Sequence, residues 1–121
     1  HSMKVMTEET FAPILPIMKI TSEEQAVQLS NSTIYGLSAS VFAASLEDGM
    51  RIGRQIDAGA ISVNDASLTA IMHEGEKQAF KHSGIGGSRM GHASIRRFFR
   101  RQSLLVNSAN ENDPWWWTKK S

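Results

Sequence analysis

Glu9 and Phe11 stand two residues apart, with Pro13 two further on, just ahead of the apolar run Ile14-Leu15-Pro16-Ile17-Met18. A carboxylate can accept hydrogen bonds from a pair of sugar hydroxyls, and an aromatic ring can pack on a flat base. Both are parts of a nucleotide site. The plainer reading is an exposed acid and a core phenylalanine before a strand, and the hexapeptide Glu8-Glu9-Thr10-Phe11-Ala12-Pro13 alone leaves both open.

Other constellations are less specific. The stretch Lys81-His82-Ser83-Gly84-Ile85-Gly86-Gly87-Ser88-Arg89-Met90-Gly91 could cradle a phosphate on backbone N–H groups ahead of a helix. It lacks the Lys-Ser/Thr ending of a P-loop and does not follow a strand as the dinucleotide fingerprint does, so a structural turn is the favoured reading. His73, His82 and His92 are spaced by nine and ten residues, not three or four, and no cysteine or acid cluster completes a set, so no metal site is expected. Asp65, Ser67 and His73 supply the residue types of a hydrolytic triad without the pattern of a nucleophile elbow. Arg96, Arg97, Arg100 and Arg101 beside Phe98 and Phe99 could track phosphates or stack bases. The bland alternative is an amphipathic helix with a solvated Arg side, and the net charge of +1 favours it.

The chain has 121 residues, 40% hydrophobic and 21% charged, which fits one globular domain. No apolar run approaches the roughly 20 residues of a membrane span, and no secretory leader pattern is present. His1-Ser2-Met3 reads as a cloning scar. The absence of cysteine removes disulfides, thiolate metal sites and any thiol nucleophile supplied by this chain, and it fits a cytoplasmic protein.

The elements that must position these residues follow from periodicity and caps. Residues 14–20 read as a buried strand. Ser22-Glu23-Glu24-Gln25 has the form of a capping box, predicting a helix to about Ser30. Residues 38–42 follow the turn at Gly36 as a second strand. Ser45-Leu46-Glu47-Asp48 opens a second helix, whose inner face carries Gly49, Ile52, Gly53 and Ile56. Two glycines there point to close approach to a sheet. Residues 60–64 form a third strand past Gly59. Strand, helix, strand, helix, strand at this spacing predicts two βαβ units and a parallel sheet, with Asn64 and Asp65 at a carboxyl end where ligands lie. Residues 65–90 read as a long loop, 91–101 as a helix with Ile95, Phe98 and Phe99 on one face, and 103–106 as a last strand. The tail from 107 to 121 is polar apart from Trp115, Trp116 and Trp117.

Four segments in order resemble the C-terminal part of an aldehyde dehydrogenase. They are Glu8-Glu9-Thr10-Phe11-Ala12-Pro13-Ile14-Leu15-Pro16, Tyr35-Gly36-Leu37-Ser38-Ala39-Ser40-Val41-Phe42, Gly59-Ala60-Ile61-Ser62-Val63-Asn64-Asp65 and Lys81-His82-Ser83-Gly84-Ile85-Gly86. The resemblance covers residues 4–106, and the run Asp113-Pro114-Trp115-Trp116 is similar to one subset of the family. It implies oxidation of an aldehyde to a carboxylic acid with NAD or NADP. In the family a Cys thiolate attacks the aldehyde, hydride passes to nicotinamide, and a Glu-activated water releases the acid. By position Glu9 matches the Glu that holds the nicotinamide ribose and Phe11 the Phe near the nicotinamide. Asn64, Asp65 and the loop to Glu76, including His73, match the region lining the aldehyde entrance. Residues 104–106 match an element that pairs with a neighbouring subunit. Ala12 stands where the family usually has Gly, and Glu76-Lys77-Gln78-Ala79 where it usually has Pro-Phe-Gly-Gly.

The expected fold class is therefore α/β, a three-layer, mostly parallel sheet from two βαβ units with a C-terminal helix and an oligomerisation-type strand. The expected domains are the scar at 1–3, part of the catalytic domain with the oligomerisation strand at 4–106, and the tail at 107–121. The resemblance implies a small aldehyde substrate and a homo-oligomer for the full-length protein, with no nucleic-acid or membrane partner. The isolated chain is expected to be inactive and to bind no cofactor, because the nucleophile and the cofactor domain belong upstream of Lys4. Its incomplete sheet should drive self-association. The rival reading is a stand-alone interaction or nucleic-acid-binding module using residues 91–101. A further alternative is a related semialdehyde or acyl-forming dehydrogenase.

Overall fold

The computed structural model describes residues 2–87 and 90–106. It begins with a one-turn helix, α1 (Lys4–Thr7), followed by an extended segment to residue 20. Helix α2 (Glu23–Asn31) starts where the capping box predicts it. Ser22 Oγ accepts from the Gln25 N–H at 3.2 Å. The return bond goes one residue further back than in the ideal box: Gln25 Oε1 accepts from the Thr21 N–H at 2.7 Å. Two short strands follow, β1 (Tyr35–Gly36) and β2 (Ala39–Val41).

Helix α3 (Leu46–Gly53) is capped by Ser45, whose Oγ accepts from the Asp48 N–H at 3.0 Å. It crosses to β3 (Ile61–Val63), which pairs with β2 in parallel, Ala39 opposite Ile61 and Val41 opposite Val63. This β2–α3–β3 unit is the centre of the fold. Its helix lies directly on its strand because Gly49 and Gly53 are buried against β3. A Cβ at Gly49 would collide with Val63 Cγ1, and one at Gly53 would sit 3.0 Å from Ile61 Cγ2. Between Ile61 and Val63, Ser62 is 1% exposed, and its Oγ has no hydrogen-bond partner among the described residues.

The first of the two predicted units, from residues 14–20 through α2 to β2, is not formed. Residues 14–20 belong to no strand, and Ile14, Leu15, Ile17 and Ile20 are exposed. A strand is defined by its ladder, and no described strand runs beside this one. The fold is α/β, but its sheet is not one parallel layer. β1 instead pairs antiparallel with β4 (Phe80–Lys81), giving two two-stranded sheets. The stretch read as a loop from 65 to 90 thus contains β4 and a short helix, α4 (Leu68–Ile71). The predicted α-helix at 91–101 is a 3₁₀ helix, His92–Phe98, with Ile95, Phe98 and Phe99 exposed rather than packed. Residues 103–106 carry no ladder either. Trp115, Trp116 and Trp117 lie outside the described residues, as do Ser88 and Arg89.

No hydrophobic side chain of the described residues is buried. The two sheets are joined by polar links. Lys81 Nζ donates to Asn31 O at 2.9 Å and Thr33 O at 3.3 Å, and pairs with Asp57 Oδ2 at 3.1 Å. Asn31 closes the loop, its Nδ2 donating to Gln55 O and its Oδ1 accepting from the Asp57 N–H, both at 2.8 Å. The Gly59 N–H donates to Gly36 O at 3.0 Å. On the outside, Arg51 forks onto the Glu23 carboxylate, NH2 to Oε2 at 2.8 Å, and reaches Asp48 Oδ1 at 3.2 Å. Arg51 holds the Glu23 carboxyl below its usual range. The Ser45 hydroxyl first, and Arg51 second, do the same for Asp48.

Two outcomes follow from this packing. Gly49→Ala should destabilise the chain by about 1–3 kcal/mol, because Val63 is β-branched and cannot swing away. Gly75→Ala, with open space around its Cβ, should stay within about 0.5 kcal/mol, and thermal melts followed by circular dichroism compare the two. The α2–α3 link should weaken in acid. A depressed carboxyl pKa contributes stability that is full above the usual carboxylate range and lost as pH falls through the folded values. Amide exchange in α2 read across an acid titration should rise in the wild type. Arg51→Ala should remove the part of that pH dependence that comes from Glu23, leaving the part that the backbone and Ser22 give Glu24, and an identical titration in the variant would rule the link out.

Candidate functional site

The polypeptide turns out of α1 at Glu8, whose N–H donates to Lys4 O at 2.7 Å, and runs extended through Glu9 and Phe11. Glu9 lines a cleft of about 490 Å³ between α1, Pro16 and the β1–β4 pair. Thr33, Tyr35, His82 and Ser83 share that cleft. The Glu9 carboxylate has no hydrogen bond or ion pair to another described residue and is exposed. Two of the hydroxyls near it are already engaged. Thr33 Oγ1 accepts from the Tyr35 N–H at 3.2 Å, and Ser83 Oγ accepts from the Gly36 N–H at 2.9 Å. The Glu9 carboxylate is a free acceptor on this wall, suited to paired hydroxyl donors. Phe11 does not line the cleft, and its ring is 94% exposed.

The second group of candidates lies along the end of β3. Asn64 takes a left-handed backbone, φ 55°, which asparagine tolerates better than most residues. Its N–H donates to Val41 O at 2.7 Å and its Oδ1 accepts from the Ala43 N–H at 2.8 Å, so its side chain splices the two parallel strands at their carboxyl ends. Asp65 Oδ1 accepts from the N–H groups of Ser67 at 2.5 Å and Leu68 at 2.8 Å, holding the start of α4. His73 is exposed, and its carbonyl accepts from the Gly91 N–H at 2.9 Å. The cleft that Glu9 lines includes none of these three. Asn64 and Asp65 thus have structural work to do, whatever else they contact.

Sequence patterns missed Tyr35, His82 and Ser83 beside Glu9, because a two-residue strand leaves no periodic trace. They also missed Lys77, which is 4% exposed and bound to carbonyls of α4. A lysine near a helix C-terminus is a recognisable pairing, but α4 is too short to be read from its own sequence. Among the described residues no group of three or more His, Asp or Glu side chains could hold a metal, and no helix is long and apolar enough to cross a membrane.

The aldehyde dehydrogenase family model matches residues 1–104. A chloroplastic betaine aldehyde dehydrogenase of Beta vulgaris is 34% identical over 118 residues, which is 98% of this chain and 23% of that protein. The candidate aldehyde dehydrogenase PutA of Anabaena variabilis has a solved structure that superposes with a TM-score of 0.80 at 58% identity, over 98% of this chain and 25% of that one. An aldehyde dehydrogenase of Mycobacterium tuberculosis, solved in complex with NAD+, superposes with a TM-score of 0.76 at 30% identity, over 87% of this chain and 21% of that one. The chain therefore spans about a quarter of the length of the relatives it matches. With the same four segments carrying the resemblance and the match running through the α/β unit and both candidate groups, this chain belongs to the aldehyde dehydrogenase family.

Proposed function

We propose that this chain is the C-terminal quarter of a subunit that oxidises an aldehyde to a carboxylic acid with NAD or NADP, and that residues 4–106 form part of its catalytic domain. The observation that carries the reading is the unpartnered Glu9 carboxylate on the wall of its cleft, at the position the family gives to the residue holding the nicotinamide ribose. With the cofactor bound, Glu9 would accept from its two ribose hydroxyls and so orient it. Phe11 matches the family's Phe near the nicotinamide by position, and its exposed ring, which lies off the cleft in this chain, is available to pack there only once the rest of the subunit is in place. Nicotinamide, when bound, supplies the hydride acceptor. The complex of the Mycobacterium tuberculosis relative with NAD+ supports that cofactor class. Asn64, Asp65 and His73 sit along the aldehyde entrance, where the first two hold the backbone in place.

The attacking thiolate comes from elsewhere, because this chain has no cysteine. The exposed apolar residues of 14–20 and 104–106 are faces for neighbouring strands, one in the same subunit and one in a second subunit of a homo-oligomer. A cytoplasmic location fits the lack of cysteine. The net charge of +1 favours the solvated reading of the Arg-rich stretch over a separate nucleic-acid role.

The purified chain, given NAD+ or NADP+ and a panel of small aldehydes, should produce no reduced nicotinamide by absorbance. Steady production would sink the assignment of the nucleophile to another part of the protein. In light scattering at rising concentration the chain should form dimers or larger species, because its unpaired apolar segments can pair with those of another copy. A monodisperse monomer throughout would count against those segments being interfaces.

A further inference from the structure

Lys77 stands out because it is nearly buried, at 4% exposure, in a chain with no buried hydrophobic side chain among the described residues. An ammonium has three protons and no acceptor. Here Thr69 O lies at 2.8 Å, Met72 O at 2.5 Å and Met90 Sδ at 3.1 Å, with Leu68 O at a longer 3.5 Å. The three carbonyls belong to α4 and the residue that ends it, where unpaired C=O groups carry partial negative charge. All three protons are committed and the group is shielded from solvent. It is therefore placed to hold the backbone, not to act as a base or a nucleophile.

A second link reaches the same segment independently. The Gly91 N–H donates to His73 O at 2.9 Å. Gly91 has φ 73° and ψ −179°, a region open almost only to glycine. A Cβ there would fall 2.8 Å from Glu76 Cγ and 3.0 Å from Glu74 O. The segment is thus fastened through its α4 carbonyls to Lys77 and through His73 to Gly91.

We propose that Lys77 is a positioning residue that, together with Gly91, clamps residues 68–76 against Met90 and Gly91 and so fixes the mouth through which the aldehyde enters. The clamp stands on these contacts; the word aldehyde rests on the family reading above. It also accounts for a lysine where the family usually carries an aromatic residue, since a cation replaces packing with carbonyl ligation.

Acylation of the 121-residue chain with a succinimidyl acetate, mapped by mass spectrometry, should modify exposed Lys4 and Lys19 at least about tenfold faster than Lys77. Lys77→Met and, separately, Gly91→Ala should each raise amide exchange over residues 69–73 by about tenfold while residues 39–41 and 61–63 stay unchanged. In a complete dehydrogenase subunit carrying this sequence, Lys77→Met should raise the KM for aldehyde several-fold, with kcat and the cofactor KM within about twofold. If Lys77→Met does not fold, the wild-type acylation and Gly91→Ala decide. Acylation of Lys77 as fast as Lys19, or unchanged exchange over 69–73 in the variants, overturns the clamp. A loosened segment with an unchanged aldehyde KM overturns its place at the mouth. A wild-type subunit without dehydrogenase activity overturns the aldehyde reading alone, and the exchange data still decide the clamp.

Discussion

The ammonium of Lys81 is the point on which this structure turns. Its three protons go to two main-chain carbonyls at the end of α2 and to the carboxylate of Asp57, which leads into β3. Lys81 itself lies in β4, so one side chain joins the antiparallel pair to the parallel pair and both to α2. Asn31 reinforces the joint by bonding to the main chain at Gln55 and at Asp57 itself. In most domains apolar burial does this joining. Here the described hydrophobic side chains are at most partly buried, so beside the contact of α3 on β3 it is directional polar bonds that join the two sheets. Partial burial of the lysine reduces competition from water and makes the bonds count.

The candidate site inherits its shape from that joint. The cleft beside Glu9 has β1 and the turn after β4 as one wall, and those hold their place because Lys81 anchors β4. The opposite wall is the short helix α1 and the segment after it. The Glu9 carboxylate on that wall is exposed and has no partner among the described residues. The candidates at the end of β3 are of another kind. Asn64 Oδ1 and Asp65 Oδ1 accept from main-chain N–H groups, so these side chains hold backbone at the end of β3. Lys77 extends the same logic, with one buried cation gathering the carbonyls of α4.

Much of the local structure was legible from residue types. Ser22 and Ser45 start helices where their hydroxyls meet the N–H groups three residues on. Gly49 and Gly53 mark the face of α3 that presses on β3, because only a missing Cβ permits that approach. Glu9 was singled out by type and spacing, and it lies on a cleft with its carboxylate free. The apolar runs at 14–20 and 103–106 were read as strands and form none in this chain. Pattern reports the wish to be buried, whereas a ladder needs a neighbour.

Caps and turns are written in short-range chemistry, since each depends on groups a few residues apart, and the parallel pairing of β2 with β3 follows from the capped helix between them. The antiparallel union of β1 with β4, the existence of α4, and the roles of Lys77 and Lys81 are not. Each joins residues far apart along the chain or elements too short to show a period, so only the folded arrangement could select the partners. The same distinction separates Glu9 from Phe11. Both are conspicuous in the sequence, but three-dimensional placement puts one on the wall of a cleft and leaves the other's ring in the open.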